Sequence, residues 1–254
     1  MPRALVVGAN RGLGASLTKL YNANEGWDVY GSVRSERQPD GFPEGVKWIT
    51  SVDLMKPEVG KALTDGLKTS KPFDVVFITA GVFTTESFDE GPNWEDEIRM
   101  YTTSSIAPVF IVRELFNAGL LQEGSKVLLV SSEAGSIALR IGAEGNYAHH
   151  ASKAALNMVG RLLSFDLKEK GVIVSVVHPG FMRTEMTRGV GFDKYWDQFH
   201  AVTPDEAARS LIDFAAQLDM SKSGEFWAPR GGKDIGTAED VLGKNLPTPL
   251  QLPW

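Results

Sequence analysis

Near the start of the chain a short β-branched run, Ala4-Leu5-Val6-Val7, passes into Gly8-Ala9-Asn10-Arg11-Gly12-Leu13-Gly14 and then into the helix-forming stretch Ala15-Ser16-Leu17-Thr18-Lys19-Leu20. A strand that turns this sharply into a helix aims the helix's first N–H groups at whatever lies beyond the turn, and glycines there let a pyrophosphate approach the bare backbone. Such a turn opens a βαβ unit, and the rest of the chain repeats the pattern. Strands are predicted at Ala4–Gly8, Trp27–Val33, Val46–Val52, Phe73–Thr79, Lys126–Ser131, Val172–Val177 and Glu225–Ala228. Val75-Val76-Phe77-Ile78 and Val127-Leu128-Leu129-Val130 are continuously apolar, as strands covered on both faces must be. Helical stretches fall near 12–24, 56–69, 93–118, 146–170 and 204–219, the last opened by Thr203-Pro204-Asp205-Glu206, a capping threonine with Glu three residues on. The alternation predicts one α/β domain over 1–254, a Rossmann-type doubly wound parallel sheet of about seven strands with helices on both faces. The tail 246–254 holds three prolines and cannot be regular helix; its apolar residues place it on a surface, its own or a partner subunit's.

Composition narrows the class. At 43% hydrophobic and 23% charged, 254 residues bury a core without staples, and no repeat or linker divides them. A formal charge of −6 argues against a nucleic-acid surface. Without cysteine there are no disulfides or thiolate sites, and the four histidines, 149, 150, 178 and 200, lack metal-binding spacing, so no metal is expected. The amino terminus is too short in apolar residues for a signal peptide and no run is long enough to span a bilayer, so a cytoplasmic location away from membranes is expected.

The turn is spaced GxxxGxG, and five more motifs follow in order: Asp53-Leu54, Ala80-Gly81, Ser131-Ser132-Glu133-Ala134-Gly135, Ser152-Lys153-Ala154-Ala155-Leu156 and Pro179-Gly180. Together they make the chain resemble the short-chain dehydrogenase/reductase family over nearly its whole length. The resemblance implies a nicotinamide dinucleotide on Gly8, Asn10, Arg11, Gly12, Leu13 and Gly14, its adenine beside Asp53 and Leu54. Ala80, Gly81, Lys153, Pro179, Gly180 and Thr184 would complete the cofactor site. It also implies a small-molecule substrate, a homodimer or homotetramer paired through the fourth and fifth helices, and a substrate lid over 185–203. That segment is rich in aromatic residues and reads equally as a lid over a bulky apolar substrate or as helix packed on the body.

The end of the second strand bears on which dinucleotide. An acidic side chain there holds the ribose hydroxyl of NAD, whereas a 2′-phosphate prefers guanidinium. Arg34 stands about where the family places the selector, with Arg11 as a second cation, which points to NADP(H); Glu36 would reverse the choice if the register shifted.

The catalytic set departs from the family, which uses a serine, a tyrosine and a lysine, with an asparagine on the fourth helix. Ser132 matches the serine, with Ser131 as its neighbouring alternative, and Lys153 matches the lysine. His149 stands where the tyrosine belongs, four residues before Lys153. Tyr147 is six residues away, which turns it roughly 120° around a helix from Lys153, against roughly 40° for His149. It can substitute only if the helix starts after it. The asparagine position falls at Ser104, and the family's Asn-Ala-Gly reads Thr79-Ala80-Gly81. Beside the Lys153 charge, His149 is expected to be neutral at pH 7, able to donate an N–H to a developing alkoxide. The function expected is an NADP(H)-dependent reductase of a small or medium apolar carbonyl compound; the alternatives are a non-redox enzyme of secondary metabolism on the same fold and a nucleotide-binding protein without turnover.

Overall fold

A computed structural model describes residues 1–142 and 145–254. Strands β1 (Arg3–Val7), β2 (Asp28–Ser32), β3 (Lys47–Ile49), β4 (Val75–Ile78), β5 (Lys126–Val130), β6 (Ile173–Val177), β7 (Phe226–Ala228) and β8 (Leu250–Gln251) form one sheet in the order β3-β2-β1-β4-β5-β6-β7-β8. The first seven are parallel, and β8 pairs antiparallel with β7. The doubly wound sheet expected from the sequence is therefore present, with one strand more than the seven predicted. That strand comes from the tail. Its prolines forbid helix but permit a two-residue edge strand, which buries Leu250 and Leu252 with Phe226 and Ile235.

The helices are α1 (Gly12–Ala23), α2 (Val59–Leu67), α3 (Trp94–Tyr101), α4 (Ala107–Asn117), α5 (Tyr147–Leu167), α6 (Glu185–Gly189), α7 (Pro204–Ala216) and α8 (Ala238–Leu242). Because side chains alternate along a strand, β1 feeds two cores. Leu5 and Val7 pack with Leu63 of α2, Ile111 of α4 and Leu156 of α5, while Ala4 and Val6 pack with Leu17 of α1 and Leu211 of α7. The cap foreseen at Thr203 is formed: its Oγ1 accepts the Glu206 N–H at 3.2 Å, and a Glu206 carboxylate oxygen accepts the Thr203 N–H at 2.7 Å.

The helix expected over 93–118 forms as one run over 94–117, but it is not α-helical throughout. A π-helical turn, Thr102–Ile106, separates α3 from α4. Pro108 has no N–H to return to the carbonyl four residues back, so the ladder opens there, and Ala107 N–H reaches the Thr102 carbonyl instead. Among the described residues, no helix is long and apolar enough to cross a membrane. The strand order reverses between β1 and β4, so a crevice opens beyond their carboxyl ends, where folds of this kind bind ligands.

Candidate active site

A cleft of about 890 Å³ occupies that crevice, and every site residue expected from the sequence, from Gly8 through Thr184, lines it. The glycine turn forms its floor. A Cβ on Gly14 would lie 2.1 Å from the Gly8 carbonyl oxygen, so only glycine lets the first turn of α1 close onto the end of β1. Gly12 has φ +51°, a left-handed backbone that a branched residue resists. Thr79, which replaces the asparagine of the family's Asn-Ala-Gly motif, donates its hydroxyl to the Val7 and Gly8 carbonyls at 2.9 and 3.1 Å, pinning the turn to β4. These features suit a diphosphate: N–H groups at a helix start, a cradle that a Cβ would fill, and nearby cations.

Arg11 and Arg34 are exposed at the cleft, and neither is in an ion pair among the described residues. Glu36 is not among the residues that line it. Asp53 accepts the Met55 N–H at 3.0 Å through one carboxylate oxygen, and Leu54 is buried beside it.

The loop after β5 separates the two serines. Ser131 is 4% exposed and donates to the Asn157 side-chain oxygen at 2.6 Å, while the Asn157 amide donates to the Gly135 carbonyl at 3.1 Å. Ser131 thus fastens the loop to α5. Ser132 accepts the Ala134 N–H at 3.2 Å, which leaves its own O–H free to donate into the cleft. Lys153 is buried on α5 and donates from Nζ to the Val130 carbonyl at 2.9 Å. His149, one turn earlier, lies against Phe83 with ring centroids 4.1 Å apart, and its Nδ1 is buried without a partner among the described residues. Helix α5 begins at Tyr147, so the condition for that phenol to replace the missing one is not met; it is 42% exposed and lies outside the cleft lining.

The opposite wall comes from 181–199. Phe83 packs edge-on to Phe192, Phe192 to Tyr195, and Tyr195 lies tilted against Phe199, and all four line the cleft. Thr184 has two positions at once: it caps α6 by accepting the Thr187 N–H at 3.2 Å, and it faces the cleft within 3.7 Å of where a Gly12 Cβ would stand. His178 is buried at the end of β6, as a strand-end residue, with Nδ1 accepting the Glu133 N–H at 3.0 Å.

Residues 2–194 match the family described as short chain dehydrogenase. The chain belongs to the short-chain dehydrogenase family. It is 28% identical over 251 residues to an uncharacterised oxidoreductase of Saccharomyces cerevisiae, covering 91% of this chain and 96% of that one. It is 30% identical over 236 residues to 1-hydroxy-2-glutathionyl-2-methyl-3-butene dehydrogenase of Rhodococcus sp. (strain AD45), covering 89% and 96% of the two chains. Among solved structures, a short-chain dehydrogenase/reductase of Burkholderia multivorans with bound NADP superposes with a TM-score of 0.72 at 26% identity, covering 89% and 96%.

In this short-chain dehydrogenase burial dominates the electrostatics of α5. Burial brings the Lys153 ammonium down to about 8. His149 is brought down to about 3, first by burial, then by the charge of Lys153, with His150 and Arg140 adding to it. A neutral histidine was expected from the lysine charge alone; desolvation is the larger cause. The family's asparagine position, Ser104, falls in the π-helical turn, 2% exposed, with its hydroxyl unpartnered among the described residues.

Several cleft residues carry no sequence signal. Phe83 follows Ala80-Gly81 in an irregular loop with no periodicity, and Arg140 sits in another. His150 was visible only as the neighbour of His149. Pairing with Glu133 brings Arg140 into the site, and that contact depends on tertiary structure.

Proposed function

We propose that this short-chain dehydrogenase is an NADP(H)-dependent reductase of apolar carbonyl compounds, with His149 replacing the family's tyrosine. The observation that carries the reading is the convergence of Ser132, His149 and Lys153 on one cleft floored by the glycine turn. The NADP in the Burkholderia structure and the dehydrogenase activity in the Rhodococcus relative's name support it. The turn at Gly8–Gly14 would hold the diphosphate, Arg11 and Arg34 the 2′-phosphate, Asp53 the adenine amine, and Pro179, Gly180 and Thr184 the nicotinamide end. When bound, the reduced dinucleotide supplies a hydride.

The chain's own groups manage the oxygen. Ser132 donates its free O–H to the carbonyl and fixes its orientation. At pH 7 an imidazole titrating near 3 is protonated on the order of one part in 10⁴, so His149 acts as a neutral N–H donor to the developing alkoxide. A lysine titrating near 8 remains roughly nine-tenths charged, which makes Lys153 the cation that balances the alkoxide and the local proton source. The aromatic wall from Phe83 to Phe199 excludes water and suits a bulky apolar substrate.

The outward stripe of α5, Met158, Leu162 and Phe165, and the nearby Ile106 and Phe110 are exposed. This supports a homo-oligomer paired through α4 and α5, a contact that buries apolar surface.

NADPH oxidation against a panel of ketones and aldehydes tests the reading. The wild type turns over, His149→Phe loses about a hundredfold in kcat, the cost of one donor to an oxyanion, and His149→Tyr is at least as fast as wild type. NADPH binding without turnover in both wild type and His149→Tyr would instead favour the non-redox reading, which the displacement of Tyr147 from the cleft makes specific. For the cofactor, replacing both Arg34 and Arg11 by serine should weaken NADPH about 10- to 100-fold, the worth of charge-assisted bonds to one phosphate, and leave NADH nearly unchanged. Titration calorimetry with the two dinucleotides reads this directly. Equal losses for both would remove the 2′-phosphate assignment.

A further inference from the structure

Arg140 and His150 lie on separate segments, yet they form a chain of contacts across the site. Arg140 forms an ion pair with Glu133, the residue after Ser132, and its other terminal nitrogen lies 3.4 Å from His150 Nε2. His150 follows His149 on the first turn of α5, and its Nδ1 is 2.8 Å from the Asn146 carbonyl oxygen. A carbonyl only accepts and a guanidinium only donates, so these two neighbours specify one tautomer: Nδ1–H donating to Asn146 and a bare Nε2 accepting from Arg140. Glu133, Arg140, Asn146 and His150 all line the cleft.

We propose that Arg140 and His150 are positioning residues that tie the Ser132 loop to the turn of α5 carrying His149, and that the tie holds only while His150 is neutral. A second proton on Nε2 would face the Arg140 N–H, two donors and two positive charges together, and the bridge would part. The groups facing His150 are Arg140 and Glu133 from the β5–α5 connection, the Asn146 carbonyl at the helix start, and the His149 ring 5.4 Å away on α5 itself. Among them burial and Arg140 hold the His150 ring below its ordinary value, and Asn146 and Glu133 oppose that. The neutral form is thus favoured, and the bridge is intact at neutral pH and lost as pH falls through the depressed histidine range.

The proposal deepens the reductase reading, and its deciding measurement needs no turnover. In NADPH-loaded protein, histidine-selective NMR should show His150 as the single Nδ1–H tautomer, titrating below the ordinary histidine range. In Arg140→Met that midpoint should rise and the His149 ring resonances should shift, because the turn loses its tether. An ordinary midpoint in the wild type, a mixed tautomer, or an Arg140→Met variant that moves neither ring would overturn the proposal. Turnover supplies a second arm that a merely structural role would not produce. His150→Leu should lose about tenfold in kcat at neutral pH with NADPH affinity retained. In His150→Gln, whose amide can accept from Arg140 and donate to Asn146 without titrating, kcat should stay within about threefold of wild type and the acid limb of the kcat profile should vanish. An acid limb that survives in His150→Gln would assign it to another group and overturn the proposal. Should no carbonyl compound be reduced by any variant, the reductase reading fails while the NMR midpoints still decide the bridge.

Discussion

Gly12→Val should abolish binding of NADPH and NADH alike, a loss of more than about a hundredfold, while the protein stays folded. At φ +51° the Gly12 backbone is left-handed. An L-residue there costs about 1–2 kcal/mol, and a β-branched one more. The simplest relief is to move the first turn of α1, which tilts the N–H groups away from the diphosphate. The new side chain would also point toward Thr184, 3.7 Å from the ideal Cβ, into the space between the turn and α6. Calorimetric titration reads the loss, and circular dichroism with a thermal melt checks that the fold survives. Because the change acts on the diphosphate, both dinucleotides should suffer equally, unlike the arginine replacements. Retained affinity for either one would contradict the turn as the diphosphate site.

Lys153→Met should lower kcat by about 10²- to 10⁴-fold, the range for removing a positioned proton donor. The methionine fills the same buried volume, so stability should change less than activity does. The wild-type profile should carry the signature of the same group. Burial depresses the Lys153 ammonium to about 8, so the charged form, which we propose balances the alkoxide, prevails below that pH and is lost above it. The rate of carbonyl reduction should therefore fall as pH rises through about 8, and Lys153→Met should abolish that alkaline limb along with most of the rate. His149, neutral throughout the working range, should contribute no limb of its own near neutrality. A profile flat to pH 10 would remove Lys153 from this role.

The parts of the molecule legible in the sequence are those set by local chemistry. The central strands β1, β4, β5 and β6 are short apolar runs, because each buries both faces. The glycine turn announces itself, because Gly14 has no room for a Cβ. The capping box at Thr203 is a four-residue signal and forms as read. What could not be read depends on contacts that exist only in the folded chain. Strand β8 is two residues between prolines, paired with β7 and packed on Ile235 and Leu139. The π-helical turn inside the helix expected over 93–118 is a small adjustment that an amphipathic pattern does not encode. In the candidate site, the helical offset placed Tyr147 away from Lys153 and His149 near it, from local geometry alone. Ser131 is told from Ser132 by its bond to Asn157 on α5, and the reach of Arg140 from Glu133 to His150 exists only once the β5–α5 connection has folded back onto the first turn of α5.

The short strand contributed by the tail also bears on how copies of this protein meet. Parallel sheets carry a hazard at their rims, where unpaired amides invite a foreign strand. Here one rim ends in three residues of β3 and the other in two residues of β8 hemmed by Pro247, Pro249 and Pro253. Neither offers a template long enough to extend. These short rims leave strand addition between copies without an edge to start from.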